Sequence, residues 1–209
     1  MGGVQKFALQ LDGVTLLERT LASLGVARSI VIVGDAPQHA LEHNPAHTPE
    51  HILDTRVSVT REHPAYGGPV AAIGAGIAAL DARREPDPDA VLLLAVDMPH
   101  VAPLVPELLA ALAARPEADA VLALDETQRL QPLAAVYRTV PLRRVLEELA
   151  TEHPAPHPLA SLPLRAITAK MVVETIAAPP ESTADVDTLD DAARLGITLS
   201  LDQQGGRTP

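Results

Sequence analysis

The chain contains no cysteine and no tryptophan, and aromatic side chains make up 1% of its 209 residues. Without thiols it forms neither disulfides nor thiolate metal sites, and it has no cysteine nucleophile. With only Phe7, Tyr66 and Tyr137 there is little on which nucleic-acid bases could stack. Lysine is scarce as well: of 16 basic side chains only Lys6 and Lys170 are lysines, and the arginines are scattered. The net charge is −11, which repels a phosphodiester backbone and argues against a nucleic-acid partner. No apolar run approaches the ~20 residues that cross a bilayer, and no secretory signal is visible. A soluble cytoplasmic protein is the expectation, with no membrane partner and a monomeric or weakly homo-oligomeric state.

What is present is aliphatic. Apolar residues make up 47% of the chain, so its core must be built from Val, Leu, Ile and Ala, a composition that suits helices packed on a parallel sheet. The length fits one domain, taken as residues 1–201 with a flexible tail at 202–209. Periodicity and punctuation predict helices over 15–24, 69–82, 103–114, 141–149 and 188–195. They predict strands over 29–33, 57–60, 90–96, 118–124, 133–137 and 171–176. Residues 35–51 and 151–163 read as loops. Alternating strands and helices imply an α/β fold: a three-layer, mostly parallel, Rossmann-like sheet with helices on both faces.

The most informative stretch is Val91-Leu92-Leu93-Leu94-Ala95-Val96-Asp97-Met98-Pro99. An apolar strand ends there on one carboxylate, at the sheet edge where α/β folds bind ligands. Asp97 is either a ligand-binding acid or a helix cap. Gly67-Gly68-Pro69 precedes a helix, where close backbone approach and free N–H groups would receive a phosphate or a base edge; an ordinary turn is the alternative. Gly74 and Gly76, later in that helix, are read as allowing close helix–sheet packing. Asp185 and Asp187 precede the last helix, where acids favour the helix start; paired with Asp97, Asp187 would instead complete a two-carboxylate magnesium site. Gly2 and Gly3 before Lys6 have the composition of a phosphate cradle with its counter-charge, although the GxxxxGK[ST] pattern is absent. His39, His43, His47 and His51 recur at helical spacing, but Pro45 and Pro49 interrupt the run, and a solvated loop is expected rather than a metal site.

Taken in order, these segments resemble the molybdenum cofactor guanylyltransferases and their relatives among the nucleotidyltransferases. Met1-Gly2-Gly3-Val4-Gln5-Lys6 is similar to the end of that family's glycine-rich signature, with Gln5 where Asp is usual. Leu9 to Leu17 resembles its hairpin-to-helix passage, and Gly68-Pro69-Val70-Ala71-Ala72-Ile73 its Gly-Pro-Leu-Ala-Gly-Ile element. Asp97-Met98-Pro99 resembles its magnesium-binding Asp-Met-Pro. Gln131-Pro132-Leu133 matches its Gln-Pro-Leu strand, and Asp185-Val186-Asp187-Thr188 is similar to its Asn-x-Asn-Thr ending. The family's first strand and the first half of its glycine loop have no counterpart. A sheet lacking an inner strand leaves buried unpaired groups at about 1–3 kcal/mol each, against a typical stability of about 5–15 kcal/mol. Met1 is therefore expected to be an internal methionine of a longer protein.

The resemblance implies Mg²⁺-dependent transfer of GMP from GTP to molybdopterin in molybdenum cofactor biosynthesis. It implies that Asp97 and Asp187 hold the metal, and that Lys6, Gly2 and Gly3 bind nucleotide phosphates. It sets Gly67, Gly68 and Pro69 near the base. Glu62 is the candidate acceptor for the guanine donors, with Arg61 or His63 as alternative occupants of that position. Cytidylyl transfer, nucleotidyl transfer to another phosphorylated acceptor, and a non-catalytic nucleotide-binding relative are the competing expectations.

Overall fold

A computed structural model of the protein describes residues 6–35, 55–83, 86–154 and 156–198. Gly2, Gly3, the histidines from His39 to His51 and the expected tail at 202–209 lie outside the described residues. The chain enters through a 3-10 turn, Lys6–Ala8. Strands β1 (Gln10–Leu11) and β2 (Val14–Thr15) follow as a hairpin. Its two-residue loop is Asp12-Gly13, both at positive φ (55° and 78°), the backbone that a tight hairpin demands and that Asp-Gly adopts readily.

Helix α1 (Leu16–Ser23) begins on a capping box: Thr15 accepts from the Glu18 N–H, and Glu18 accepts from the Thr15 N–H. Strands β3 (Ile30–Val33) and β4 (Val57–Thr60) pair in parallel. Helix α2 (Pro69–Ala82) starts with Pro69 in its first turn, where a missing N–H costs nothing. Next come β5 (Ala90–Leu94), α3 (Leu104–Ala113), β6 (Ala120–Leu124), β7 (Leu130–Arg138) and α4 (Thr139–Glu152). The described residues close with α5 (Arg165–Thr168), β8 (Val173–Ala177), α6 (Leu189–Arg194) and β9 (Ile197–Thr198).

The main sheet has the order β5-β7-β6-β8. Alternate residues of its strands feed two cores. Ala120, Leu122, Ala135 and Tyr137 pack against Val70, Ile73 and Ile77 of α2 and Leu142, Val145 and Leu149 of α4. Val121, Ala123, Ala134 and Val136 face Leu104, Leu108 and Leu112 of α3. Helices therefore cover both faces of this sheet, as expected of an α/β fold.

The expectation of a mostly parallel sheet is corrected, because the sheet is mixed. β7 runs antiparallel to both β5 and β6, and only β6 and β8 pair in parallel. Only residues 125–129 connect β6 to β7, and a parallel crossover needs a dozen or more. Asp125 organises this hairpin: its carboxylate accepts from the N–H groups of Thr127 and Arg129, the Thr127 hydroxyl and the Gln131 side-chain amide. β7 is also longer than expected and takes in Gln131 and Pro132.

β3–β4 forms a sheet of its own. Among the described residues, the edge of β5 away from β7 and the edge of β3 away from β4 carry no strand. All five residues of β5 are apolar and packed on one core or the other, yet each is only half-buried. Helix α2 touches both sheets, and Gly76 lets it approach β3: a Cβ there would lie 3.2 Å from Val33 Cγ2. Gly74 plays a different part from the expected helix–sheet packing, because its open side faces Leu159 of the 156–163 segment, whose Cδ1 would stand 2.6 Å from a Cβ. Among the described residues no helix is long and apolar enough to cross a membrane.

Candidate functional site

Three segments far apart in sequence meet at one end of the main sheet. The first carries Lys6, in the 3-10 turn before the hairpin. The second carries Asp97, three residues beyond β5. The third is the irregular stretch Asp185-Val186-Asp187 that leads into α6. Their meeting is enforced by a small apolar cluster in which Leu9, Leu11 and Leu16 pack with Val186, Leu195 and Ile197. β9 pairs with β1 in the same unit, so the two ends of the described chain are held together.

Val186 is fully buried, whereas its neighbours Asp185 and Asp187 are exposed. The inward turn of Val186 thus leaves both acids on the outside of the stretch. The Val186 N–H donates to the Asp97 carbonyl at 3.1 Å. Beyond Asp97, Met98 is buried, and the Arg19 Nε donates to the Pro99 carbonyl at 3.3 Å. The acid at the end of β5 is therefore held from both sides.

Lys6 Nζ lies 2.9 Å from Asp97 Oδ2 and 2.5 Å from Asp187 Oδ1. The Asp97 side chain is 20% exposed, that of Lys6 33% and that of Asp187 62%. Partial burial disfavours the ammonium, but its hydrogen bonds to Asp187 and Asp97 and the attraction of both carboxylates outweigh that cost. The Lys6 pKa accordingly stands above the ordinary lysine value of 10.5. Partial desolvation of its carboxyl, reinforced by the charges of Asp187 and Asp97, raises Asp185 above its usual 3.8 although the residue as a whole is exposed. One ammonium is thus bonded to two acids and lies near a third, so the charge of the cluster is only partly neutralised by Lys6.

Neither key acid is a helix cap. The N-cap of α3 is Pro103, and that of α6 is Thr188, which forms a capping box with Asp191. Asp97 and Asp187 form a two-carboxylate set, and among the described residues no group of three His, Asp or Glu could hold a metal. That number of oxygen donors fits magnesium, which is ordinarily held by one or two carboxylates, with waters and substrate phosphates filling the other positions.

The expected base-side residues lie on the loop between β4 and α2. Gly67 is committed internally: its N–H donates to the Pro64 carbonyl at 2.9 Å, and its carbonyl accepts from the Ser161 N–H at 2.7 Å. Gly68 has φ 90° and is the N-cap of α2. Because Pro69 has no N–H, the donors left over at this helix start are those of Val70 and Ala71. Glu62 Oε1 accepts from the Tyr66 N–H at 3.0 Å, so this carboxylate is partly used in shaping its own loop. Tyr66 itself is 94% exposed. Arg61 pairs with Asp35. Arg61 and His63 line a cavity of about 500 Å³ with Thr60, Gly74, His157 and Leu159, and none of Lys6, Asp97 and Asp187 lies on that cavity.

Sequence reasoning singled out Lys6, Asp97 and Asp187, and these three are brought together. It assigned no part to Arg19, whose contact with Pro99 spans 80 residues and leaves no local mark. Asp185 was visible as half of an Asp-x-Asp pair, but its proximity to Asp97 was not.

The class of this α/β architecture comes from a family model that matches most of the chain, and it is that of the nucleotidyltransferases. The chain belongs to the family of the MobA-like NTP transferase domain, whose model matches residues 1–166. Solved structures share the fold. Molybdopterin-guanine dinucleotide biosynthesis protein A from Archaeoglobus fulgidus is 18% identical, with a TM-score of 0.62 over 93% of this chain and 90% of that one. The 2-C-methyl-D-erythritol 4-phosphate cytidylyltransferase from Thermus thermophilus is 19% identical, with a TM-score of 0.58 over 91% of this chain and 92% of that one. Rv0371c from Mycobacterium tuberculosis, solved in complex with manganese, is 20% identical, with a TM-score of 0.55 over 91% of this chain and 90% of that one. No curated protein sequence matches the chain.

Proposed function

We propose that the protein transfers GMP from GTP to the terminal phosphate of molybdopterin, with Mg²⁺ held by Asp97 and Asp187. The observation that carries this reading is the convergence of Asp97 and Asp187 on one cation, Lys6 Nζ, at 2.9 and 2.5 Å. In the reaction an oxygen of the acceptor phosphate forms a bond to the α-phosphorus of GTP. The bond from that phosphorus to the bridging oxygen breaks, and pyrophosphate leaves. Such a transfer needs placement and neutralisation of charge more than covalent help from the protein. When bound, the divalent ion supplies charge neutralisation between the reacting phosphates.

Lys6 provides a mobile positive charge for the phosphates of the nucleotide, and the resemblance assigns Gly2 and Gly3, outside the described residues, to the same phosphates. Gly67, Gly68 and Pro69 form the base-side wall, with Glu62 as the acceptor for the N1–H and N2–H₂ donors of guanine. Glu62 would have to share this role with its bond to Tyr66. The reading takes the protein as a single cytoplasmic domain, monomeric or weakly self-associating. Its test is pyrophosphate release on mixing the purified protein with MgGTP and molybdopterin. Absence of release with every nucleoside triphosphate would remove the reading.

A second reading, cytidylyl transfer to another phosphorylated acceptor, is favoured by the fold shared with a cytidylyltransferase and by the engagement of Glu62 with Tyr66. Competition between GTP and CTP for the same site separates the two.

A further inference from the structure

Lys6 occupies the space that a metal ion held by Asp97 and Asp187 would need. Its Nζ contacts one oxygen of each carboxylate. A magnesium ion takes its oxygen ligands at about 2.0–2.1 Å, so an ion on these two oxygens would press directly against the ammonium. Both cations cannot sit on Asp97 Oδ2 and Asp187 Oδ1 at once, so a metal settles on these two oxygens only after the ammonium has left them.

The architecture shows which partner moves. Asp97 and Asp187 are kept adjacent by backbone: the Val186 N–H to Asp97 carbonyl bond and the buried Val186 side chain hold the two segments whether or not Lys6 lies between them. Lys6 is fastened only at its base. Leu9, three residues on, is 2% exposed, and its carbonyl accepts from the Leu16 N–H at 2.8 Å. The Lys6 stem beyond that anchor is a four-carbon chain with a one-third exposed end. The backbone segments that carry the two acids are joined independently of Lys6, and the ammonium can swing away from them.

We propose that Lys6 is an internal counter-ion that closes the Asp97–Asp187 pair to free divalent cations, and that nucleotide phosphates open the pair by drawing the ammonium onto themselves. Metal and nucleotide then enter as one unit. This inference rests on the reading of Asp97 and Asp187 as metal ligands. Two protein carboxylates make a weak site without phosphate oxygens, and Lys6 weakens it further until those oxygens arrive. Linkage makes the effect reciprocal: nucleotide raises metal affinity by the same factor by which metal raises nucleotide affinity.

The test is Mn²⁺ binding followed by electron paramagnetic resonance of free Mn²⁺, with and without GTP. Lys6→Met keeps the length of the stem and removes the charge; Lys6→Arg keeps the charge. Without GTP, Lys6→Met should bind Mn²⁺ at least about fivefold more tightly than the wild type, the low end of usual coupling between two ligands, and Lys6→Arg should stay weak. GTP should tighten Mn²⁺ binding to the wild type and do so less for Lys6→Met. Equal or weaker Mn²⁺ binding by a folded Lys6→Met overturns the inference. Circular dichroism melting establishes that this variant is folded, and Lys6→Gln takes its place where it is not. Asp97→Asn and Asp187→Asn in the Lys6→Met background distinguish the two failures. Loss of Mn²⁺ binding there upholds the metal-ligand reading even where Lys6 has no effect. Persistence of Mn²⁺ binding, or its absence from every protein, overturns the reading and the inference together.

Discussion

The Val186 N–H and the Asp97 carbonyl, 89 positions apart, are joined by a 3.1 Å hydrogen bond. Through it the acid at the end of the apolar β5 strand and the Asp-x-Asp stretch before α6 become one surface. Because backbone rather than side chains makes the join, either acid can be altered without separating the segments.

Asp97→Asn should therefore abolish nucleotidyl transfer and leave the fold intact. We expect a fall in turnover of about 100-fold or more, the scale on which removal of one well-placed electrostatic group acts. Thermal melting should change little, since Lys6 keeps Asp187 as a partner. Turnover within a few-fold of the wild type would remove Asp97 from the machinery.

Gly68 has φ 90° at the N-cap of α2. With ψ 175° this is a region essentially confined to glycine, and an L side chain there costs about 1–3 kcal/mol whatever the space around it. Gly68→Ala should lower stability in urea by that amount and raise the KM for nucleotide, because the turn at the helix start would shift. An unchanged urea midpoint would mean that this backbone relaxes freely.

Tyr137 is buried, and its hydroxyl donates to the Pro132 carbonyl at 2.9 Å. Tyr137→Phe removes that hydrogen bond, at a cost of about 0.5–1.5 kcal/mol. Burial also pushes the Tyr137 pKa well above its ordinary value of 10.0. The native state thus keeps the proton while the unfolded chain releases it. This contribution is complete below pH 10 and lost as pH rises above it. Between pH 9 and pH 11 the urea midpoint should fall more steeply for the wild type than for Tyr137→Phe; parallel slopes would contradict the assignment.

Asp125 has the opposite sign. The Arg129 N–H and the Thr127 hydroxyl, with Gln131, stabilise its carboxylate and hold its pKa below the usual 3.8. Its support of the β6–β7 hairpin is complete above that value and lost as pH falls through the lower native pKa. Asp125→Asn should lower the melting temperature at pH 6 and show a shallower loss between pH 4 and pH 2. Identical acid limbs in the two proteins would show that the hairpin does not depend on this charge.

Much of the fold is legible along the chain because it depends on neighbours. Thr15 with Glu18, Pro69 at a helix start, the Asp-Gly hairpin and the apolar run into Asp97 act over a few residues, and each stands where local chemistry puts it. The reversed direction of β7 was also within reach of sequence reasoning, since residues 125–129 are too few for a crossover; the apolar pattern alone hides it, because a strand buried on both faces looks the same in either direction.

The sequence by itself determined which groups at strand ends and helix starts can meet a charged ligand: Lys6, Asp97, Asp187 and the backbone of the Gly67–Pro69 turn. Only the tertiary structure decided that Lys6 meets Asp97 across 91 positions and Asp187 across 181. It also decided that Glu62 turns back to Tyr66, and that Arg61 and His63 line a separate cavity. The reason is physical. Local propensity acts over a turn or two, whereas a long-range contact exists only once the buried side chains of Leu9, Leu16, Val186 and Leu195 have packed together and brought their charged neighbours with them.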